Sequence, residues 1–264
     1  MSPSPTTMGA LLGSVAAVPT ETELTRLGAS FAGVDTWVFD LDNTLYPAGS
    51  TIWPAVDIRI TLYLANLFGL DGLSARALQK YYYQRYGTTL RGLMEEQAGS
   101  ADVFLDFVHD IDRTGLAPNP ELGRALTALP GRKLIFTNGS RDHAMRTTEQ
   151  LGFPDVFEDI FDIVAAELVP KPEAAVYDRF LARHAVDPVR AVMVEDLARN
   201  LVVPHALGMR TVLVSPRGRD HRERWEAEGI GAPHVDFVTD DLAGFLRAVT
   251  LARFSDVAEN DRTA

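Results

Sequence analysis

The chain has 264 residues, of which 46% are hydrophobic and 23% charged, a composition typical of a globular protein with a sizeable core. A formal net charge of −11 argues against a nucleic-acid partner, and the absence of cysteine excludes disulfides and thiol chemistry. No apolar run approaches the roughly 18 residues that span a membrane. The apolar stretch near the N-terminus has no preceding Lys or Arg, which a secretory signal requires, so we expect a cytoplasmic protein without a membrane partner.

The first strand of the chain is predicted to end in two carboxylates. Residues 1–30 are expected to form a poorly ordered tail with a short helical tendency at 21–27, and residues 36–40 are predicted as a buried strand. Asp40 and Asp42 should point to the same side, as residues i and i+2 of an extended segment do. Two adjacent carboxylates repel each other unless a cation or a proton lies between them, so this strand end is expected to bind a ligand.

A helical segment is predicted next, from about residue 49 to 117. Apolar residues recur at helical spacing as far as Gly69, which ends the first helix. Further helices are predicted at 75–86, 90–97 and 101–111, and no strand is predicted among them. The segment is therefore expected to be an all-helical insertion directly after the first strand.

Strands and helices then alternate to the end of the chain. The predicted strands are 133–137, 162–165, 191–195, 211–214 and a segment at Phe237. The predicted helices are 120–129, 142–151, 172–184, 200–207 and 241–251. Such alternation implies a parallel sheet with helices on both faces. The predicted fold is an α/β, Rossmann-like doubly wound sheet formed by residues 31–48 and 118–264, with residues 49–117 as the insertion.

Polar residues also stand at the end of the second predicted strand and in a later loop. Thr137 and Asn138, followed by a glycine, offer a hydroxyl and backbone N–H groups to an anion ahead of a helix. Lys171 lies between two prolines, where its ammonium could offset the charge of a bound phosphate. Each of these features alone is more often an ordinary turn or a solvated lysine.

An acidic pair ends the predicted strand at 191–195. Glu195 and Asp196 stand at this point, and Asn200 follows four residues after Asp196. Mg²⁺ takes oxygen ligands, usually one or two of them carboxylates, which Asp40 and Asp196 can supply. Acids at a helix N-terminus are also favourable by themselves because of the helix dipole. Four such motifs lie at the ends of strands of one predicted sheet or in the loops that follow them, which indicates a common site.

These four motifs resemble those of the haloacid dehalogenase superfamily of aspartate-nucleophile phosphatases. The matching segments are Asp40-Leu41-Asp42-Asn43-Thr44, Thr137-Asn138-Gly139, Lys171-Pro172, and Glu195-Asp196 with Asn200. The resemblance covers residues 35–215, and the helical insertion resembles the C1-type cap of the family.

A closer resemblance, to the pyrimidine 5′-nucleotidase branch, lies in the insertion and in two motifs. The similar segments are Tyr82-Tyr83-Gln84-Arg85-Tyr86-Gly87, Arg91-Gly92-Leu93, the Asp-Asn-Thr-Leu-Tyr-Pro ending of the first motif, and Asn138-Gly139 with His143 and Arg146. The chain departs from that branch at Glu195, where an aspartate is usual. This change should matter little if the metal ligand is Asp196.

The resemblance implies a phosphomonoester hydrolase that forms an aspartyl-phosphate. Asp40 would be the nucleophile and Asp42 the general acid and base. Mg²⁺ would be held by Asp40, Asp196 and the main-chain carbonyl of Asp42, with Glu195 and Asn200 orienting the ligand carboxylate. The implied phosphate-binding residues are Thr137, Asn138 and Lys171.

The expected substrate is a small phosphomonoester, in particular a pyrimidine nucleoside 5′-monophosphate. Tyr82, Tyr83 and Tyr86 could stack on a base, and Arg91 could bond its polar edge. Tyrosines on a helix are, however, more often part of a core or an interface. Other phosphomonoesters, such as a sugar phosphate or a flavin nucleotide, stay open as substrates.

Two rival functions remain at this point. A haloacid dehalogenase needs the nucleophile but neither Asp42 nor Mg²⁺, and a receiver-like signalling module combines an acidic cluster, a hydroxyl, a lysine and Mg²⁺ on a shorter chain without an insertion. The histidines show no metal-ligand spacing and are interpreted as exposed or helix-terminal. Those considered are His143, His184, His205 and His221.

Overall fold

A computed structural model describes residues 20–215 and 229–263 of the chain. The strands are β1 (Thr36–Phe39), β2 (Arg132–Phe136), β3 (Asp159–Phe161), β4 (Ala191–Glu195), β5 (Arg210–Val214) and β6 (Phe237–Thr239). The helices are α1 (Glu21–Phe31), α2 (Ile52–Phe68), α3 (Gly72–Tyr86), α4 (Thr89–Glu95), α5 (Ala101–His109), α6 (Pro120–Ala128), α7 (Arg141–Leu151), α8 (Ala174–His184), α9 (Val202–Ala206) and α10 (Leu242–Thr263). Short 3₁₀ helices cover Pro188–Arg190 and Ala198–Leu201.

The strands form one parallel sheet in the order β3-β2-β1-β4-β5-β6, which confirms the predicted α/β fold. Alternate residues of β1 enter different apolar clusters: Trp37 and Phe39 belong to one, and Val38 belongs to the other. Helices cover both faces of the sheet, so its strands are buried on both sides. The central position of β1, beside β2 and β4, brings the ends of these three strands together.

Helix α1 corrects the predicted N-terminal tail. Thr20 and Glu23 form a reciprocal capping box at its start, and Leu27 and Phe31, one helical turn apart, are buried. The Phe31 ring stacks on Trp37 of β1, with 5.4 Å between the ring centres. The predicted helical tendency at 21–27 is thus part of a longer helix that packs in the core, so residues 21–30 are not a poorly ordered tail. Residues 1–19 lie outside the described part of the chain.

The third strand lies three residues earlier than predicted. Its bounds are Asp159–Phe161 rather than 162–165, because the carboxylate of Asp162 accepts hydrogen bonds from the backbone N–H groups of Arg141 and Ala165 and so starts a turn. Ile163, within the predicted range, packs into the apolar cluster of the insertion. The predicted helix at 200–207 is a 3₁₀ turn followed by the short helix α9, and the last helix is longer than predicted.

Helices α2 to α5 occupy the insertion between β1 and β2, as predicted, and enclose their own apolar cluster. Helices α3 and α4 approach closely at Gly92, where an added Cβ would lie 2.6 Å from the Cγ atom of Tyr82. Leu168, in the loop after β3, packs against the same cluster, so the insertion contacts the sheet at the ends of its strands. Within residues 20–215 and 229–263, no helix has both the length and the apolar character to cross a membrane.

Candidate active site

The predicted motif residues meet at the carboxyl ends of the three central strands. Asp40 follows β1, and its backbone N–H still bonds the carbonyl of Val194 on β4. Thr137 follows β2, and Glu195 is the last residue of β4. One ligand oxygen from each of Asp40, Glu195 and Asp196 lies within 4.8 Å of the others, and all three residues are buried.

Lys171 links the carboxylates at the centre of the site. Its side chain is 1% exposed, and its Nζ donates to Asp40 Oδ1 at 2.8 Å, Glu195 Oε1 at 2.7 Å and the Phe136 carbonyl at 2.8 Å. Asn138 fixes the Lys171 backbone, since its Oδ1 accepts from the Lys171 N–H and its Nδ2 donates to the Lys171 carbonyl. Burial alone would lower the pKa of Lys171, but Asp40 and Glu195 outweigh it and hold the pKa above its usual value.

The acidic residues are crowded enough to favour a divalent cation. Burial raises the pKa of Asp40 to about 7 against the opposing effect of Lys171, and Glu195 and Asp42 add to the rise. Glu195 is already engaged by protein donors, because its Oε1 accepts from Lys171 and Asn200 and its Oε2 accepts from the backbone N–H of Leu197. Asp40 and Asp196 are thus the carboxylates placed to hold a cation, and this all-oxygen donor set fits Mg²⁺.

Asp42 lies beside this cluster and is held through one oxygen. Its Oδ1 is 2.5 Å from the Tyr46 hydroxyl and 2.9 Å from His143 Nε2. Burial raises the pKa of Asp42, but His143 and Tyr46 outweigh it and bring the pKa down to about 2. Burial and the neighbouring Asp42 raise the pKa of Tyr46 well above its usual value, so the phenol keeps its proton and donates it.

His143 is helix-terminal, as interpreted, but it is not exposed, and the structure shows a contact that the interpretation missed. This ring is 0% exposed and contacts the predicted general acid–base, although it lies in the first turn of α7. The sequence offered one indication, its place after Asn138-Gly139 in the nucleotidase-like segment. His184 is buried against Asp159 and His205 is exposed, while His221 lies outside the described residues.

Three further residues surround His143 that the sequence did not indicate. Arg113 Nη2 lies 2.9 Å from His143 Nδ1, and the His109 ring stacks on the His143 ring with 4.3 Å between their centres. Ser140 Oγ lies 2.9 Å from His109 Nδ1. His109 ends the last helix of the insertion, so this network joins the insertion to the loops that carry the predicted catalytic residues.

A cavity of about 450 Å³ lies between the insertion and the sheet and reaches the site. Asp42, Asn138 and Gly139 line its inner end, while aromatic side chains including Trp53 and Phe104 form part of its wall. Polar groups from α2 and α3 also line it: Arg76 pairs with Asp57 at 2.6 Å, and Gln79 Nε2 donates to Asp57 Oδ1 at 2.8 Å.

Of the four insertion residues expected to contact a substrate, Tyr83 lines this cavity. Its hydroxyl accepts a hydrogen bond from Arg199 at 2.7 Å. Tyr82 and Tyr86 lie four residues apart on another face of α3, and their hydroxyls bond Glu96. Arg91 pairs with Glu95 along α4, so the structure does not place Tyr82, Tyr86 or Arg91 around the cavity.

Comparison with known proteins agrees with this geometry. A family model described as haloacid dehalogenase-like hydrolase matches residues 34–203, and a second, HAD-hydrolase-like model matches residues 168–245. Phosphate metabolism protein 8 of Saccharomyces cerevisiae is 26% identical over 193 residues, which are 66% of this chain and 60% of that protein. The chain therefore spans less than two thirds of the length of this relative.

Solved structures with low sequence identity share the fold. A HAD phosphatase from Thermococcus onnurineus gives a TM-score of 0.54 at 17% identity, covering 81% of this chain and 97% of its own. The L-2-haloacid dehalogenase from Xanthobacter autotrophicus, with chloropropionic acid covalently bound, gives 0.51 at 18% identity, covering 82% and 98%. The putative HAD-hydrolase YfnB from Bacillus subtilis, bound to magnesium, gives 0.54 at 13% identity, covering 82% and 98%.

Proposed function

The chain belongs to the haloacid dehalogenase-like hydrolases, and from this we propose that it is a Mg²⁺-dependent phosphomonoester hydrolase acting through an aspartyl-phosphate. The observation that carries the proposal is the second carboxylate, Asp42, held beside the nucleophile Asp40 by two hydrogen bonds. A dehalogenase acting on carbon needs no such acid. The all-oxygen donor set of Asp40 and Asp196, which fits Mg²⁺, agrees with phosphoryl transfer.

The first step transfers the phosphoryl group to the chain. The Asp40 carboxylate attacks phosphorus, the bond to the ester oxygen breaks, and that oxygen takes the bond's electron pair together with a proton from Asp42. The negative charge of the bound phosphate opposes ionisation of Asp42, whose pKa is about 2 without substrate, so this step uses the protonated form of Asp42. Thr137 and the backbone N–H groups that follow it would bind the phosphoryl oxygens, where charge stabilisation contributes most. Lys171 would contribute its positive charge, because its three donors already bond Asp40, Glu195 and the Phe136 carbonyl.

The second step returns the free enzyme. Asp42 takes a proton from a water molecule, whose oxygen attacks phosphorus, and the bond between phosphorus and the Asp40 oxygen breaks. Inorganic phosphate leaves, and Asp40 is a carboxylate again. Asp42 thus gives a proton in the first step and regains one in the second, so the cycle is balanced.

Asp40, Asp196 and the main-chain carbonyl of Asp42 would hold the Mg²⁺ ion. When bound, it supplies charge that offsets the repulsion between the carboxylates and the phosphate. Glu195 and Asn200 would orient the ligand residues, because Asn200 Nδ2 donates to Glu195 Oε1 at 2.7 Å and Lys171 links Glu195 to Asp40.

The proposed substrate is a nucleoside 5′-monophosphate, with a pyrimidine preferred. The helical insertion would act as the C1-type cap, and its cavity of about 450 Å³ has the size of a small-ligand site. Aromatic groups such as Tyr83 and Trp53 offer stacking surfaces, and Gln79 and Arg76 offer polar groups at a distance from the catalytic carboxylates. A sugar phosphate or a flavin nucleotide would use the same catalytic residues with different cap contacts.

A panel of phosphomonoesters tests the proposal. The protein should release phosphate from a nucleoside monophosphate in the presence of Mg²⁺, and Asp40→Asn should abolish this release while the fold is kept. Halide release from a 2-haloacid without added metal would instead identify a dehalogenase. A stable phospho-aspartate without turnover would identify a receiver-like module.

A further inference from the structure

We propose that His143 and Tyr46 are positioning residues that hold one oxygen of Asp42 so that its other oxygen alone exchanges protons. This inference rests on the proposed phosphatase function. Both residues contact the same atom, Oδ1, at 2.9 Å and 2.5 Å. Their side chains are buried, while the Asp42 side chain is 16% exposed and lines the cavity.

The second oxygen of Asp42 lies near the loop that follows β2. Oδ2 lies 3.7 Å from the ideal Cβ position of Gly139, in the loop that also carries Thr137 and lines the cavity. The torsion that rotates a carboxylate is broad and roughly two-fold, so an unrestrained Asp42 would exchange its two oxygens. Two donors on Oδ1 fix which oxygen faces the leaving group.

The direction of the His143 hydrogen bond is set by Arg113. A guanidinium group can only donate, so His143 Nδ1, which lies 2.9 Å from Arg113 Nη2, must accept. With Nδ1 accepting, the N–H of the His143 ring lies at Nε2 and donates to Asp42 Oδ1. Arg113 is 8% exposed and bonds the His109 carbonyl as well, which holds its guanidinium in place.

The arrangement fits both proton transfers of the proposed cycle. In the first, Oδ2 gives its proton to the ester oxygen as the bond from that oxygen to phosphorus breaks; in the second, Oδ2 takes a proton from the attacking water. Oδ1 accepts from the same two donors throughout. Loss of a donor should therefore harm substrates that need proton transfer more than substrates that do not.

Two esters with different leaving groups distinguish substrates that need proton transfer from substrates that do not. The alkoxide of a nucleoside monophosphate leaves only with a proton, whereas p-nitrophenolate leaves as a stable anion. The quantity measured is the ratio of kcat/KM for the two esters, because kcat/KM reports the steps through the first bond cleavage. A ratio taken on one preparation is independent of the fraction of the protein that folds.

Paired substitutions at His143 provide the comparison. His143→Leu should lower kcat/KM for the nucleotide about 100-fold and for p-nitrophenyl phosphate only a few-fold. His143→Gln should restore most of the ratio, because its amide nitrogen can donate to Asp42 while its oxygen accepts from Arg113. Tyr46→Phe should shift the ratio in the same direction as His143→Leu. The buried-histidine control, His184→Gln, should leave it unchanged, since His184 bonds Asp159 outside the site.

Equal losses on both esters in His143→Leu would overturn the inference, as would a His143→Gln variant that behaves like His143→Leu. Failure of the proposed phosphatase function would give a different result. In that case the wild-type chain hydrolyses neither ester, or Asp40→Asn keeps its activity, whatever the variants at His143 do.

Discussion

His109 should make the folded state sensitive to acid, and its removal should reduce that sensitivity. Burial, with a further contribution from His143, lowers the pKa of His109 to about 3 in the folded chain. An unfolded chain has a histidine pKa of about 6.5. Because the folded state binds fewer protons between these values, the contribution of neutral His109 to stability is complete above about pH 6.5 and is lost as the pH falls toward 3.

The difference in bound protons between the folded and unfolded chain gives the size of this pH-dependent loss of stability. Between pH 7 and pH 5, one histidine with these two pKa values loses about 2 kcal/mol of folding free energy. Urea unfolding of the wild-type chain and of His109→Asn at both pH values measures it. The asparagine keeps a polar group near Ser140, whose Oγ lies 2.9 Å from His109 Nδ1, and groups common to both chains cancel in the comparison. Equal losses in the two chains would refute the reasoning.

Three further substitutions test the metal site, the cavity and the packing of the insertion. Asp196→Asn should raise the Mg²⁺ concentration needed for half-maximal phosphatase activity by more than about tenfold, and an unchanged Mg²⁺ titration would count against Asp196 as a ligand. Gln79→Ala should raise KM about tenfold for a nucleotide but little for p-nitrophenyl phosphate, because Gln79 lines the cavity. The control Arg91→Ala lies outside the cavity and should change neither KM value. Equal effects of Gln79→Ala on both esters would contradict base recognition. Gly92→Ala should destabilise the chain by about 1–3 kcal/mol in urea unfolding, because an added Cβ would lie 2.6 Å from the Tyr82 ring, and a stability equal to wild type would show that the helices can separate without cost.

The sheet and the nearness of the acidic motifs were predictable because their causes are local or periodic. Buried strands leave apolar runs, and parallel strands bring their carboxyl ends to one edge. Asp40 and Thr137 therefore follow adjacent strands, and Glu195 ends the third, as expected. The loop of Lys171 was predicted as part of the site, but the complete burial of Lys171 between two carboxylates was not.

The remaining features depend on packing between distant parts of the chain. His143 and Asp42 are 101 residues apart, and no pattern along the sequence joins a helix residue to that carboxylate. The tyrosines of α3 have different surroundings for a related reason. Consecutive helix residues face different directions, and only packing decides which face of the helix meets the cavity. Tyr83 lines it while Tyr82 bonds Glu96.

The central claim is that Asp40 is the nucleophile of a phosphatase, and acid quenching during turnover tests it most directly. Wild-type protein mixed with Mg²⁺ and a hydrolysed phosphomonoester should yield a phosphorylated peptide that contains Asp40. Asp40→Asn should yield neither this peptide nor released phosphate, while its circular dichroism spectrum stays that of the wild type. Phosphate release by purified Asp40→Asn at a rate near that of wild type would contradict the account.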